Sequence, residues 1–178
     1  MVEVTKAVRA FTLEQGADVV GIGSAEAMNM EARKLQTPEE NLPGAKAVVS
    51  FGMRMLNSIF KSPNIRISRA SYVYLHDALD DIAWKVAGFL EERGFDAIPI
   101  PSAAPVEMME RGGLLGDISQ RHAAVQAGLG RVGLSQNFLS LRFGPRVRLG
   151  SVVTTAPLIA DELLKDEVCL GENCRSKI

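Results

Sequence analysis

Three consecutive segments decide the fold class: KAVVSFGM (46–53), YVYLHDALDDIAWKVAGFLEER (72–93) and DAIPI (96–100). In the long middle segment, apolar residues recur every three or four positions on one face, as in an amphipathic helix. These residues are Leu75, Leu79, Ile82, Val86, Phe89 and Leu90. The two flanking segments are short and apolar, which is typical of buried strands. The order strand, helix, strand predicts a domain in which helices pack on a sheet.

The rest of the chain adds elements of the same two kinds. We predict helices over residues 2–16 and 119–127, and further strands over residues 18–23, 138–141 and 147–155. No regular element is predicted over residues 24–43, and residues 57–70 are predicted to form a loop around Pro63 and Asn64. The expected fold class is therefore α/β (mixed α+β), a layered sandwich of sheet and helices.

Composition and charge exclude several classes of protein. The chain has 178 residues, of which 47% are hydrophobic and 23% are charged, as in an ordinary globular domain. Its formal net charge of −1 argues against a nucleic-acid surface, which would need a surplus of basic residues. No segment has the roughly 18–20 apolar residues that a membrane helix needs, and the N-terminus does not resemble a secretion signal. We therefore expect a cytoplasmic protein.

The chain has only two cysteines, Cys169 and Cys174, both close to its C-terminal end. Because thiols stay reduced in the cytoplasm, a close pair indicates metal ligands before a disulfide. Soft thiolates at this spacing suit an iron–sulfur cluster or zinc, and either site normally needs four ligands. The sequence therefore predicts that the two cysteines begin the metal site of a truncated second segment. If two chains each lent both thiols, a homodimer would complete the site instead.

A dense glycine cluster occupies AGLGRVGLS (127–135). Glycines let the backbone approach a flat ligand closely, although a purely structural turn would also need one or two of them. Ligand contact and a structural turn therefore stay open as alternatives. His122 lies one helix before the cluster, where it either touches a cofactor or has no ligand role. The candidate cofactor-binding residues are His122, Gly128, Leu129, Gly130, Arg131, Gly133 and Ser135.

Tyrosines and arginines supply the remaining candidates. Tyr72 and Tyr74 are candidate catalytic residues, because a tyrosine whose hydroxyl faces a pocket can act as a general acid. Packing at the start of the long helix is the simpler alternative. A basic patch could pair with a cofactor phosphate or an acidic substrate group, or it could be a solvated strand edge. Its members are Arg131, Arg142, Arg146 and Arg148.

Two other motifs are interpreted as structural. Gly21-Ile22-Gly23 lacks the third glycine of a dinucleotide fingerprint, so we predict a tight turn at the end of a strand. His76 has no cysteine or second histidine at metal-ligand spacing, which favours a partly exposed or core-capping histidine.

Several motifs taken together resemble the superfamily of epoxyqueuosine reductases and reductive dehalogenases. They are SQRHAAVQAGLG (119–130), then Gly133, then FGPRVRL (143–149) and VTTAPL (153–158), followed by the cysteines. The resemblance implies that residues 1–160 form a nitroreductase-like, cofactor-binding α/β domain that holds cobalamin. It also implies that residues 161–178 begin a truncated ferredoxin-like segment with 4Fe–4S clusters. Electrons would pass from a donor such as ferredoxin or flavodoxin through the clusters to the corrinoid, which reduces the substrate.

The chain departs from the epoxyqueuosine reductases at two places. Their Asp-Tyr-His signature falls on SYVYLH (71–76), which has no aspartate, and their Gly-Lys-Asn falls on Gly133-Leu134-Ser135. Both differences weaken the expectation of a tRNA-modification reaction. We therefore predict the N-terminal domain of an iron–sulfur oxidoreductase, with a non-catalytic iron–sulfur electron carrier or metal-linked scaffold as the alternative. A cavity beside residues 127–135 that is large enough for a tetrapyrrole favours the enzyme, and a filled apolar interior favours the alternative.

Overall fold

The computed structural model describes residues 1–31, 36–103, 107–108, 114–171 and 173. The helices within these ranges are α1 (Val2–Glu14), α2 (Ala25–Glu31), α3 (Pro38–Asn41), α4 (Ile65–Glu91) and α5 (Gln120–Gln126), with a 3₁₀ turn at Asn57–Lys61. The strands are β1 (Val19–Ser24), β2 (Ala47–Arg54), β3 (Ala97–Ile100), β4 (Glu107–Met108), β5 (Leu114–Leu115), β6 (Gly130–Val132), β7 (Phe138–Ser140) and β8 (Val147–Thr154).

Four of these strands form the central sheet, in the order β1-β2-β8-β3. Every neighbouring pair in this sheet is antiparallel. Strand β8 comes last along the chain but lies inside the sheet, and residues 149–154 of this strand are buried. Strands β4 and β5 pair with each other, and so do β6 and β7. The predicted mixed α/β fold class is confirmed, with the sheet fully antiparallel.

Helices cover both faces of the central sheet. Helices α1 and α4 pack on one face, and their core with the sheet includes Val8, Val49, Phe51, Leu79 and Val152. Helices α2 and α5 pack on the other face, where the core includes Met28, Val48, Ala123 and Val153. Successive residues of a strand point to opposite faces, so the adjacent Val48 and Val49 belong to different cores. The result is the layered sandwich that the sequence predicted.

The motif Gly21-Ile22-Gly23 lies inside β1, so the predicted strand-end turn is wrong. A Cβ atom at Gly21 would overlap the carbonyl oxygen of Ala127, and one at Gly23 would lie 3.3 Å from the Cβ of Gln126. These glycines therefore allow the C-terminal end of α5 to approach β1 closely. This close approach fixes the position of Ala127, the first residue of the glycine cluster at 127–135.

Two regions predicted without regular structure are partly helical. Residues 24–43 contain α2 and α3, and α3 begins with a capping box between Thr37 and Glu40. Helix α4 begins at Ile65 rather than Tyr72, because the Asn64 side chain caps it by accepting a hydrogen bond from the N–H of Arg66 at 3.1 Å. Although α4 is 27 residues long, no helix in the described ranges is long and apolar enough to cross a membrane.

One edge of β8 is left open, and this gap positions the site. Strand β3 pairs with β8 only from Ser151 to Thr154. Within the described residues, the edge of β8 from Val147 to Gly150 therefore has no strand partner on the β3 side. The N-terminal ends of α5 and β7 and the residues after β3 surround this gap.

Candidate functional site

A cavity of about 310 Å³ lies at the open edge of β8. Side chains from α4, the segment after β3, α5, β7 and β8 converge on it. We call it the arginine cavity. Its lining residues are His76, Ser102, Gln120, Arg121, Asn137, Phe138, Pro145, Val147, Arg148 and Leu149.

His76 is the most buried ionisable side chain of this cavity, with 9% of its surface exposed. Its Nδ1 atom lies 2.9 Å from the hydroxyl oxygen of Ser102. The backbone N–H of Ser102 donates in turn to the carboxylate of Asp80 at 2.8 Å. The other ring nitrogen, Nε2, is buried and has no hydrogen-bond partner among the described residues. The ring is therefore held from one side and leaves one nitrogen available.

Burial and charge both act on the pKa of His76. Desolvation by burial lowers this pKa below 6.5, and the positive charge of Arg148 lowers it further. The carboxylates of Asp80 and Asp77 act in the opposite direction and are weaker. His76 is consequently neutral at neutral pH, with one nitrogen able to donate and the other able to accept.

Arg148 and Tyr72 stack beside His76. The guanidinium carbon of Arg148 lies 4.6 Å from the centre of the Tyr72 ring. The ring centres of Tyr72 and His76 are 4.3 Å apart. The Nε atom of Arg148 is buried without a hydrogen-bond partner among the residues that the structure describes. Tyr72, a predicted catalytic candidate, therefore stands next to two residues that line the arginine cavity.

Tyr74, the other catalytic candidate, lies away from this cavity. It is 71% exposed and borders a different, mainly apolar cavity of about 470 Å³ with Leu56, Ile59 and Ile67. The structure thus separates the two tyrosines, because residues two apart point to different sides of a helix. The catalytic role of either tyrosine stays a prediction.

A third cavity, of about 480 Å³, contains the thiol of Cys169. We call it the cysteine cavity, and its lining residues are Val132, Gly133, Leu134, Gln136, Glu167, Cys169 and Gly171. The backbone N–H of Leu134 donates to the Cys169 sulfur at 3.5 Å. Arg131 forms an ion pair with Glu167 at 3.4 Å on the rim. Cys174 lies outside the described residues, which contain no group of three or more potential metal ligands.

The segment that carries Cys169 is held against the domain by Asp161. The Asp161 carboxylate accepts two hydrogen bonds of 2.6 Å from the Arg9 guanidinium. It also accepts the backbone N–H of Ile22 at 2.9 Å, and the N–H of Asp161 donates to the carbonyl of Ile22. The N–H of Ile159 donates to the Thr5 hydroxyl at 3.0 Å. These contacts direct the chain from β8 along β1 towards the glycine cluster.

Much of the glycine cluster is explained by packing of the chain on itself. A Cβ atom at Gly128, where φ is +69°, would lie 2.5 Å from the Glu162 carbonyl oxygen. A Cβ at Gly130 would overlap the Leu139 carbonyl, and one at Gly133 would lie 3.4 Å from the Cys169 sulfur. The glycines therefore make room for the strand β7 and for the segment that carries Cys169. Contact of Gly128 or Gly130 with a cofactor stays a prediction.

The other candidate cofactor contacts are spread over this end of the domain. Leu129 packs against a small core formed by Ala124 and Phe138, among others. Ser135 is exposed on the turn between β6 and β7, and its hydroxyl accepts a hydrogen bond from Asn137 at 3.3 Å. His122 is exposed on α5 and lines neither the arginine cavity nor the cysteine cavity.

The turn of residues 133–137 separates the two cavities. Gln136 borders the cysteine cavity, while Asn137 borders the arginine cavity. Gln136 has a φ of 61°, a left-handed conformation that is uncommon for residues other than glycine. The Arg121 guanidinium donates to the backbone carbonyl of Gln136 and so holds this conformation from the arginine cavity. The turn is therefore one wall shared by a thiol-containing cavity and a cationic one.

His76, Ser102 and Gln120 are site residues that the sequence motifs do not single out. One signal was present: Tyr72, His76 and Asp80 are spaced four apart, which puts them on one helix face. Ser102 and Gln120 carry no such signal, because their position depends on how far β3 extends along β8.

The chain is similar in sequence to two kinds of reductase, although no protein-family model matches it. It is 30% identical over 131 residues to the tetrachloroethene reductive dehalogenase of Desulfitobacterium hafniense, a match that covers 73% of this chain and 21% of that protein. It is 24% identical over 145 residues to the epoxyqueuosine reductase of Bacillus cereus, covering 77% of this chain and 36% of that protein. The chain thus spans about a fifth to a third of these relatives.

Solved structures of both kinds of reductase share the fold. An epoxyqueuosine reductase crystallised with a tRNA-Tyr stem loop superimposes with a TM-score of 0.70 at 15% identity, covering 98% of this chain and 51% of that one. A reductive dehalogenase whose structure suggests a mechanism for B12-dependent dehalogenation superimposes with a TM-score of 0.65 at 22% identity, covering 93% of this chain and 21% of that one. At these identities the similarity establishes the fold alone.

Proposed function

We propose that this chain, which is related to reductive dehalogenases and epoxyqueuosine reductases as its motifs predicted, is the N-terminal part of an iron–sulfur reductase. In this proposal Cys169 would be a ligand of a 4Fe–4S cluster and the turn of residues 133–137 would hold a corrinoid, and these two groups would supply the electrons for a reduction. The observation that carries the proposal is this turn, because it has a thiol on one side and a cationic cavity on the other.

The surroundings of Cys169 fit a cluster ligand. Thiolates that bind iron–sulfur clusters accept backbone N–H groups, and the Leu134 N–H already points at the Cys169 sulfur. The thiol borders an open cavity rather than a filled core. A 4Fe–4S cluster needs four thiolates, whereas this sequence contains two cysteines. The proposal therefore assigns Cys169 and Cys174 as two ligands and takes the others from outside this sequence.

The turn of residues 133–137 fits the edge of a corrinoid, which combines apolar faces with a rim of amide groups. Leu134 is 66% exposed on the turn and offers an apolar contact. The neighbouring Ser135, Gln136 and Asn137 offer hydrogen-bonding side chains, and all three are exposed. A bound corrinoid would supply a cobalt centre that delivers electrons to a substrate. The protein would bind and orient it through these four residues.

Within this proposal Tyr72 serves as the proton donor. Its phenol ring lies against Arg148 and His76, both of which line the arginine cavity. If the Tyr72 oxygen releases its proton to a substrate, the adjacent guanidinium stabilises the negative charge that remains. Tyr74 borders a different cavity, whose described lining includes Asp18 and Arg54, and takes no part in this proposal.

A non-catalytic iron–sulfur electron carrier is the second candidate. The observation in its favour is that the space at Gly128 and Gly130 is taken by the chain's own backbone, which leaves these glycines no need for a ligand. A carrier would use Cys169 and the exposed turn to face a partner protein, without a corrinoid. A homodimer that shares thiols belongs to this second candidate as well.

Corrinoid binding distinguishes the two candidates. The protein is purified without oxygen from its whole gene, reconstituted with iron and sulfide, mixed with hydroxocobalamin and separated by gel filtration. We expect corrin absorbance to elute with the protein. Leu134→Arg should weaken corrinoid binding about tenfold by removing the apolar contact and adding bulk and charge.

Leu141→Arg is the matched control, because Leu141 is 62% exposed and lies outside both cavities. This variant should bind the corrinoid as the wild-type protein does. A protein that acquires clusters but elutes free of corrin would overturn the corrinoid proposal and favour the carrier.

A further inference from the structure

The arginine cavity carries positive charge. The guanidinium groups of Arg121 and Arg148 border it, together with the neutral imidazole of His76. Among the described residues that line it, none is an aspartate or a glutamate. The carboxylate of Asp80 accepts the N–H of Ser102 and is not part of the described lining, although its charge and that of Asp77 act on His76. The potential inside the cavity is therefore positive, and it attracts an anion.

Buried polar atoms of this cavity also lack partners. Three are unpaired among the described residues: the Nε of Arg148, which can only donate, the Nε2 of His76, which donates or accepts according to the tautomer, and the Oε1 of Gln120, which accepts. The His76 side chain is buried, with 9% of its surface exposed. An unpaired buried donor costs free energy, so such groups indicate a missing acceptor. The unpaired Nε–H of Arg148 beside an open cavity indicates that its acceptor is a ligand.

The chemistry of the donors identifies the acceptor. The planar guanidinium of Arg148 suits the two oxygens of a carboxylate or phosphate, and charge-assisted bonds of this kind are strong. The amide of Gln120 and the hydroxyl of Ser102 add polar contacts on the same wall. Phe138, Val147 and Leu149 provide apolar walls beside these groups. A volume of about 310 Å³ accommodates a small organic molecule rather than a macromolecule.

We propose that the arginine cavity binds a small organic ligand through an oxyanion group, a carboxylate or a phosphate, that pairs with Arg148. That the ligand is the substrate of the reductase rests on the proposed function, but the binding site itself does not. The ligand class differs from a neutral halogenated alkene, because such a molecule would leave the buried Nε–H of Arg148 unpaired.

Binding is measured on the protein without iron or corrinoid, so the result is independent of the proposed function. Isothermal titration is carried out with benzoate, inorganic phosphate and, as the neutral analogue, benzyl alcohol. We expect at least one anion to bind at least tenfold more tightly than benzyl alcohol. Tighter binding of benzoate indicates a carboxylate ligand, and tighter binding of phosphate indicates a phosphorylated one.

Two arginine variants test whether the anion pairs with Arg148. Arg148→Gln should weaken binding of the preferred anion about tenfold or more, and Arg148→Lys should restore part of it. Arg142→Gln is the control, because Arg142 is exposed and stacks on Phe143 outside the cavity. Amide NMR spectra establish that each variant is folded. Equal affinity for benzoate, phosphate and benzyl alcohol, or unchanged binding in folded Arg148→Gln, would overturn the proposal.

Discussion

The backbone N–H of Leu134 points at the sulfur of Cys169, 3.5 Å away, although 35 residues separate them in the sequence. This contact joins the turn after β6 to the segment that leaves the domain. Gly133 keeps this region compact, because a Cβ atom there would lie 2.7 Å from the Leu139 side chain and 3.4 Å from the same sulfur. The glycine cluster and the cysteine, which the sequence presents as two separate motifs, therefore form one unit in the fold.

The contacts of Asp161 should determine where Cys169 lies. Asp161→Ala removes an ion pair with Arg9 and an acceptor for the Ile22 N–H. We expect the free energy of unfolding to fall by about 1.5–3 kcal/mol, the usual range for hydrogen bonds to a charged group. Hydrogen exchange of residues 159–170 should accelerate more than exchange in α4. Asp166→Ala, an exposed position on the same segment, is the control and should change neither quantity.

If hydrogen exchange in residues 159–170 were the same in Asp161→Ala as in the wild-type protein, the segment would be held by other contacts. The assignment of Asp161 as its anchor would then be wrong.

Two glycine substitutions should change stability in opposite directions. Gly21→Ala puts a methyl group where the Ala127 carbonyl lies, so unfolding free energy should fall by about 1–3 kcal/mol. Gly88→Ala puts the same group in open space on α4, where no atom lies within 4 Å. Because alanine is the better helix former, this change should raise the unfolding free energy by about 0.5–1 kcal/mol. Urea denaturation of the three proteins measures both values.

If Gly21→Ala left the free energy of unfolding unchanged when measured alongside Gly88→Ala, α5 would not approach β1 as closely as described. The close packing beneath the glycine cluster would then need another explanation.

The pKa of the His76 imidazole should lie below the ordinary value for histidine. Burial and the charge of Arg148 lower its pKa below 6.5. NMR titration of the ring protons, assigned with His122→Gln, should therefore give a pKa for His76 below that value. Arg148→Gln removes the positive charge beside His76 and should therefore raise the pKa of His76, although burial still keeps this pKa below 6.5. A wild-type pKa at or above 6.5 would contradict the described burial.

The same shift makes stability depend on pH. Because the folded-state pKa of His76 is lower than its unfolded value of about 6.5, the unfolded chain binds the proton more readily. The contribution of neutral His76 is complete above about pH 6.5 and is lost as the pH falls through the folded pKa. The free energy of unfolding of the wild-type protein should therefore fall relative to that of His76→Gln as the pH is lowered from about 7.5 to about 5. If the difference in unfolding free energy between the wild-type protein and His76→Gln stayed constant over this pH range, that result would contradict this linkage.

The periodic elements of the fold were predictable from the sequence, and the site was not. The strand at 46–53 and the helical face of Leu75, Leu79 and Ile82 follow directly from their apolar spacing. The start of α4 was missed because Pro63-Asn64 indicates a loop, whereas the Asn64 side chain caps a helix. A short sequence pattern of this kind is compatible with both a loop and the start of a helix, and tertiary packing decides which of the two forms.

The arginine cavity depends on strand register, which no local pattern specifies. Arg148 was recognised as part of a basic patch, and a solvated strand edge explained it equally well. Its environment follows from β3 ending opposite Ser151, which leaves the edge of β8 uncovered beside His76. The pairing of two cavities across the turn at residues 133–137 likewise arises only once the segment with Cys169 has folded back on the domain.

Iron content tests the central claim most directly, which is that Cys169 ligates a cluster beside the turn. Wild-type protein, Cys169→Ser and the neighbouring exposed control Leu170→Ala are each expressed from the whole gene, reconstituted without oxygen and analysed for iron and for the electron paramagnetic resonance of the reduced cluster. Our account predicts that Cys169→Ser loses iron and alters or abolishes that signal, while Leu170→Ala keeps both. Wild-type iron content and an unchanged signal in Cys169→Ser would contradict it.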